Sequence, residues 1–340
     1  MTAISNSTSS KASASSAGFQ FSDLTPDLIL NALESIGVFA ESGLLALNSY
    51  ENRVYQFIDE SRTRWVVKFY RPERWTDEQI LEEHSFATEL MDAEIPVVAP
   101  VALNGDSLHH FQGYRFSLFP SVGGRQFEVD NLDQLEQVGR YLGRIHGVGK
   151  AKPFQHRPEF SVEQYLTLPT QQLQHSEFIP AALETPFFTI LEQVVQAAGA
   201  RFRAQNFIRL HGDCHPSNIL WRDGPSILDL DDCRMGPAVQ DLWMMLSGDR
   251  MQQQLQLEVL VEAYEEFHSF ATEQLDQVEV LRAMRMVHYM AWLAKRWGDA
   301  AFPKAFPWFA SEKYWEQQIL SLKEQLAALD ESPLKLMSGF

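Results

Sequence analysis

The segment His211-Gly-Asp-Cys-His-Pro-Ser-Asn218 sets a carboxylate, Asp213, five residues before an amide, Asn218, and a second carboxylate, Asp229, follows eleven residues later. Phosphoryl transfer from a nucleotide asks little covalent chemistry of a protein. It needs positioning, neutralised charge and a group that orients the attacking hydroxyl. Asp213 lies in a loop after the apolar run Phe207-Ile-Arg-Leu210 and is the candidate proton acceptor. Asn218 and Asp229 offer hard oxygen donors, which suit Mg²⁺ bridging nucleotide phosphates. Asp229 is expected at the end of the second strand of a hairpin, which returns its carboxylate to the loop. Lys68 sits inside the apolar strand Trp65-Val-Val-Lys-Phe-Tyr70. An ion pair with Glu82 or Glu83 on the next helix would hold its ammonium against the α- and β-phosphates. The helix pattern favours Glu83.

Neighbouring residues have plainer readings. His211 is expected to hold the loop by bonding backbone. His-x-Asp-x-His also resembles a metal-ligand cluster for a hydrolase, but that leaves Lys68 and Asp229 without a role. Cys214 reads as a packed thiol rather than a nucleophile, and Asp231 with Asp232 as a solvated turn, with help to a second metal as the alternative. Trp292, Trp297, Trp308 and Trp315 read as core and lobe packing, with a substrate-facing wall as the alternative.

The elements that must position these residues fill a chain of 340 residues, enough for two domains or one two-lobed unit. Hydrophobic residues are 45% and charged residues 21%, ordinary for a globular protein. The net charge of -17 repels phosphate backbones and argues against nonspecific nucleic-acid binding. Two cysteines with no CxxC pair are expected in a reducing cytoplasm. No run of 18 apolar residues is present, so no membrane association is expected. Residues 1–18, rich in Ser, Ala and Thr, are expected to form a disordered tail.

Thr25-Pro26 marks a helix start, with Thr25 as N-cap. Leu44–Leu47, Val54–Ile58 and Trp65–Tyr70 predict an antiparallel meander. A helix is predicted over Trp75–Ala93 with Thr76 or Asp77 as its cap, then a strand over Tyr114–Phe119. Gly123-Gly124 marks a boundary between residues 19–122, a β-rich nucleotide lobe with one main helix, and residues 123–340, a mainly helical catalytic and substrate lobe. Within the second lobe, Leu132–His146 and Leu281–Trp297 predict helices. Ile219–Trp221 and Ser226–Leu230 predict a strand pair. The fold class is therefore α/β (α+β), bilobal.

The spacing from Asp213 to Asn218 is that of the kinase pattern H-R-D-L-x-x-x-N. The catalytic segment and Ile227-Leu-Asp-Leu-Asp-Asp232 resemble the aminoglycoside-phosphotransferase and choline-kinase branch of the protein-kinase-like fold. Within it the closer resemblance is to the bacterial stress response kinase A group. That likeness runs through Leu47–Phe57, Val66–Trp75, Phe119–Phe127 and Gly236–Trp243, and covers roughly residues 19–315. The resemblance implies a monomeric, cytoplasmic, ATP- and Mg²⁺-dependent Ser/Thr protein kinase linked to envelope or oxidative stress. It implies Asp213 as proton acceptor, and Asn218 and Asp229 as metal ligands. Ser49 would touch phosphate, Phe119–Val122 would face adenine, and Asp241 would brace the catalytic loop. Two departures stand out. The segment Asn48–Arg53 has no glycine, so side chains must help shape the phosphate loop. Only eleven residues separate Asp229 from Asp241, too few for a long activation segment. That shortness keeps a small-molecule kinase, acting on an amino alcohol, sugar or aminoglycoside, as the alternative. Nothing favours a non-enzymatic nucleotide sensor.

Overall fold

The computed structural model describes residues 21–336, so the expected tail at 1–18 lies outside the described residues. The chain opens as its caps dictate. Thr25 Oγ1 accepts from the Leu28 amide at 3.2 Å, and Pro26 starts helix α1 (Pro26–Ser35). Ile29, Ala32 and Leu33 form its buried face, packed on the first sheet.

That sheet holds β1 (Leu45–Ala46), β2 (Arg53–Ile58), β3 (Arg64–Phe69), β4 (His109–Phe111) and β5 (Tyr114–Pro120), with α2 (Asp77–Asp92) between β3 and β4. Its order is β1-β2-β3-β5-β4, antiparallel throughout. The expected strand at Leu44–Leu47 shrinks to two exposed residues. Strand β4 escaped the pattern because three residues are too few to show a period. In β3, Lys68 faces Val54 on one side and Ser117 on the other.

Thr76 caps α2 through a reciprocal box with Gln79. Phe86, Ala87 and Leu90 of this helix belong to the large core of the helical region rather than to the small core under the sheet. Glu82 adds a polar tie. Its carboxylate accepts from the backbone amides of Gln155, His156 and Arg157 at 2.5–2.8 Å. The helix that carries Glu83 is thus fixed from both sides.

The rest is helical around two small sheets. β6 (Arg125–Gln126) follows the glycine pair, then α3 (Leu132–Lys150), α4 (Leu168–Gln174) and α5 (Ala181–Arg201). β7 (Ile208–Leu210), β8 (Ile219–Trp221), β9 (Pro225–Ile227) and β10 (Arg234–Gly236) flank the catalytic segment. α6 (Val239–Trp243), α7 (Arg250–Glu265), α8 (Val278–Arg296), α9 (Ala301–Ala305) and α10 (Glu312–Ala328) complete the chain. β7 pairs with β10, and β8 lies between β6 and β9, all antiparallel. α3 packs on α7, and α5 on α10 and α8. Nine of the 19 residues of α8 are buried and only Tyr289 and Lys295 are exposed, so the helix is less deeply buried than its apolar circumference implies. Trp315 is fully buried, whereas Trp308 is 41% exposed and departs from the core-packing expectation.

Candidate active site

The loop after β7 is held by one buried carboxylate. Asp241, at the start of α6, accepts from the amides of His211 and Gly212, each at 2.9 Å. His146 Nε2 lies 3.1 Å from the same group, and Asp241 has no exposed surface. It braces the loop and does not face the cleft. Gly212 has φ +85°, and a Cβ there would sit 2.3 Å from the Asp232 carbonyl, so the motif needs glycine at this point. His211 is buried, with Nε2 2.8 Å from the Leu228 carbonyl. That bond holds the loop on the hairpin and removes His211 from any metal cluster. Cys214 is fully buried, and burial pushes its thiol well above the ordinary range.

Asp213 emerges at the end of this loop. Arg285 of α8 contacts it at 2.6 Å and His215 at 3.4 Å. Burial alone would raise its pKa, but His215 and Arg285 overrule that and hold it far below the usual carboxylate range. Asp213 is therefore ionised and weakly basic. Asn218 turns its Nδ2 to the Asp213 carbonyl at 2.9 Å, which leaves Oδ1 as a free acceptor.

The second strand of the hairpin ends at Ile227, two residues before Asp229, earlier than its apolar run implies. Asp229 adopts a left-handed backbone with φ 59°, a conformation an aspartate tolerates better than most residues. Its side chain is 54% exposed in the cleft and 3.1 Å from Lys68. Asn218 Oδ1 and the Asp229 carboxylate are hard oxygen donors, a set that fits Mg²⁺ sharing phosphate and water ligands. Among the described residues no cluster of three His, Cys, Asp or Glu forms a protein-only metal cage.

Lys68 Nζ lies 3.7 Å from Glu83 Oε1 and 3.1 Å from Asp231 Oδ1. Glu83, not Glu82, is the helix partner, because Glu82 is spent on the backbone of 155–157. Asp231 overturns its expected place in a solvated turn. It is 3% exposed and pairs with Lys68, Arg74 and the Asn52 amide. Arg157 covers the same turn, bonding the carbonyls of Asp231 and Cys233. Asp232 pairs with Arg74 and Arg234. Burial would raise the Asp231 carboxyl, but Lys68 and Arg74 pull it down to about 2. Asp229, Asp231 and Glu83 together lift Lys68 well above its ordinary value against the effect of burial. An ammonium so held stays charged.

Burial drives the Glu83 carboxyl up to about 7, against the pull of Lys68. The sign follows from linkage. A folded-state pKa above the unfolded value gives stability that is complete below pH ~4.5 and lost as pH rises through ~7. Glu83→Gln is expected to flatten the fall in Tm between pH 5 and 7.5, measured by thermal unfolding. An unchanged slope would count against a buried, displaced Glu83.

The loop Asn48–Arg53 is shaped by side chains, as its lack of glycine demands. Asn52 Oδ1 accepts from the Arg71 amide, and Arg71 bonds the carbonyls of Glu51 and Tyr50. Glu51 is gripped by Arg296 at 2.6 Å, by Trp292 Nε1 at 2.7 Å and by Arg71 at 3.1 Å. Asp299 takes Arg53 at 2.7 Å and Arg71 at 2.8 Å. The loop is thus tied to α8 and to the turn before α9. Breaking an ion pair of this kind costs enough to raise the KM for ATP about tenfold in Glu51→Gln, with a smaller change in kcat. Steady-state kinetics with varied ATP check this, and an unchanged KM would contradict it.

These residues surround one cavity of about 810 Å³, within the range of nucleotide-sized sites. Leu47, Val54, Val66, Leu220 and Leu228 supply apolar wall, and Phe119, Pro120 and Val122 line its edge. Ser49, Lys68, Glu83, Asp213, Asn218 and Asp229 all line it too. Arg74, Arg157 and Arg285 were not legible as site residues. Their partners lie 72 or more positions away, and no local pattern marks such pairing.

Residues 44–278 match the Phosphotransferase enzyme family, APH. The chain is 54% identical over 319 residues to Stress response kinase A of Escherichia coli strain K12, covering 94% of this chain and 97% of that protein. It is 53% identical over the same length and coverage to the Serine/threonine protein kinase RdoA of Salmonella typhimurium strain LT2. Among solved structures, amicoumacin kinase hAmiN in complex with AMP-PNP and Ca²⁺ superposes with a TM-score of 0.70 at 16% identity, over 91% of this chain and 94% of that one. A microcompartment-associated aminopropanol kinase gives 0.70 at 17% identity, over 92% and 99%. Similarity of this extent, on a cleft built for phosphoryl transfer, decides the matter: the chain belongs to the phosphotransferase enzyme family and is an enzyme of the kinase-like fold.

Proposed function

We propose that the protein is an ATP- and Mg²⁺-dependent kinase that phosphorylates Ser and Thr hydroxyls of proteins. The observation that carries this reading is the convergence of Asp213, Asn218, Asp229 and Lys68 on one cavity. Residues 19–122 form the nucleotide lobe and residues 123–340 the catalytic lobe. Val54, Val66 and Leu228 sandwich adenine, with Phe119–Val122 at its edge. Ser49 touches phosphate. Lys68, braced by Glu83, takes the α- and β-phosphates. Asn218 and Asp229 would hold the metal, which would supply neutralisation of phosphate charge. Asp213 accepts a hydrogen bond from the acceptor hydroxyl and takes its proton as the oxygen bonds the γ-phosphorus and the bond from that phosphorus to the bridging oxygen of the departing ADP breaks. Its low basicity suits a loose transition state, in which the proton leaves late. The names of the relatives support a protein acceptor and a role in a stress response. We place the enzyme in the cytoplasm as a monomer. No helix among the described residues is long and apolar enough to cross a membrane.

A small-molecule acceptor is the second reading. It is favoured by the short path from Asp229 to Asp241, which holds one 3-10 turn, β10 and the start of α6, with no extended segment. ADP release measured side by side separates the two. The protein reading predicts turnover above the ATPase background with dephosphorylated casein, and none with amino alcohols, sugars or aminoglycosides. The reverse pattern overturns it.

A further inference from the structure

Four permanent cations line the cavity: Lys68, Arg74, Arg234 and Arg285. The first three are not open to the acceptor: Lys68 is assigned to the nucleotide phosphates, and Arg74 and Arg234 are paired within the protein. Their side chains are 8%, 15% and 8% exposed, and each is bound to Asp231 or Asp232. His288 also lines the cavity, but burial drops it to about 4, so it is neutral at physiological pH.

Arg285 differs. Its side chain is 40% exposed, and it reaches Asp213 with Nη1 alone. Nε and Nη2 have no acceptor among the described residues. A guanidinium is a rigid fork that grips a second oxyanion without releasing the first. Tyr289 lies one turn further along α8, 36% exposed and stacked on Trp292 at a centroid distance of 5.6 Å. Residues four apart share a helix face. The acceptor therefore meets, beside the accepting carboxylate, a half-free guanidinium and then an aromatic ledge.

We propose that Arg285 is a specificity-determining residue that reads a carboxylate on the acceptor next to the accepting hydroxyl, so that the substrate is an acidic peptide segment. This rests on the protein-kinase reading above. Nη1 stays on Asp213 while Nε and Nη2 take the acceptor's acid. The same cation repels an ammonium approaching Asp213, which disfavours amino alcohols and aminoglycosides. The net charge of -17 opposes acidic partners only at long range, and screening at ~8 Å in physiological salt confines that effect. Arg285 acts in contact.

The test uses the full-length enzyme, Mg²⁺-ATP and three synthetic peptides with one central serine flanked by Glu, Ala or Lys. The ratio of kcat/KM between peptides is the readout, so a general loss of rate in a variant cancels. A charge-assisted contact is worth about tenfold or more in the wild-type ratio of Glu to Lys peptide. Arg285→Gln brings that ratio close to one. Arg285→Lys keeps its sign with a smaller size, because the charge remains and the fork is lost. If Arg285→Gln proves inactive on all peptides, the wild-type and Arg285→Lys ratios decide. Equal use of the three peptides by wild type overturns the inference alone, as does an undiminished ratio in Arg285→Gln. Failure to phosphorylate any peptide or casein, with turnover on a small molecule, overturns the protein-kinase reading itself.

Discussion

Asp213→Asn is expected to lower kcat by about 10²–10⁴-fold, the usual worth of a positioned proton acceptor, while the Kd for ATP stays nearly unchanged. An asparagine fills the same space and still accepts a hydrogen bond, but it takes no proton. Asp213 is not a phosphate or metal ligand in this account, so nucleotide binding does not need its charge. The fold loses the contacts with Arg285 and His215 that favour the charged form, so some stability goes with the charge. Arg285, its partner at 2.6 Å, is 40% exposed and is solvated when left alone. A coupled ADP assay gives kcat, and titration calorimetry with ATP and Mg²⁺ gives the Kd. A variant that retains wild-type turnover would remove Asp213 from the chemistry.

Asp241→Ala is expected to behave in the opposite way, destabilising the protein by about 3–5 kcal/mol. Asp241 is fully buried, and its two oxygens serve the His211 amide, the Gly212 amide and His146. Alanine leaves three buried donors without an acceptor, each of which carries a desolvation cost. The loss also frees the loop that carries Asp213, so kcat falls as well. Urea unfolding measures the stability, with an unchanged m confirming that the transition remains comparable. The pair of variants separates two roles that lie close in sequence. Asp213→Asn loses mainly rate, and Asp241→Ala loses rate together with far more stability. A stable Asp241→Ala enzyme would show that the loop is held by other contacts.

The catalytic segment was legible because its chemistry is local. Asp213 and Asn218 share one loop, and a hairpin brings back Asp229, so spacing alone brings the three together. Thr25 and Thr76 were legible as caps for the same reason, since a cap acts on residues two or three positions away. Lys68 with Glu83 needed only the next helix. What the pattern hid was the charge network behind these groups. Asp231 and Asp232 look like a solvated acidic turn until Arg74 and Arg157 fold over them. A buried carboxylate and an exposed one have the same local sequence signature, and only a distant cation distinguishes them. Glu51 is a further case, a loop glutamate whose partners Trp292 and Arg296 lie about 240 positions on. The exact end of β9 was hidden too, because the apolar run Ile227-Leu228 continues while the backbone turns to the left-handed region at Asp229.

The central claim is that these residues hold Mg²⁺-ATP with its terminal phosphate before Asp213. A crystal structure with AMP-PNP and Mg²⁺ tests it most directly. The metal is expected on Asn218 Oδ1 and Asp229, Lys68 on the α- and β-phosphates, adenine against Phe119–Val122, and the γ-phosphate facing Asp213. A nucleotide seated outside this cavity, or a metal held by His215 and Asp213 with Asn218 and Asp229 unengaged, would contradict it.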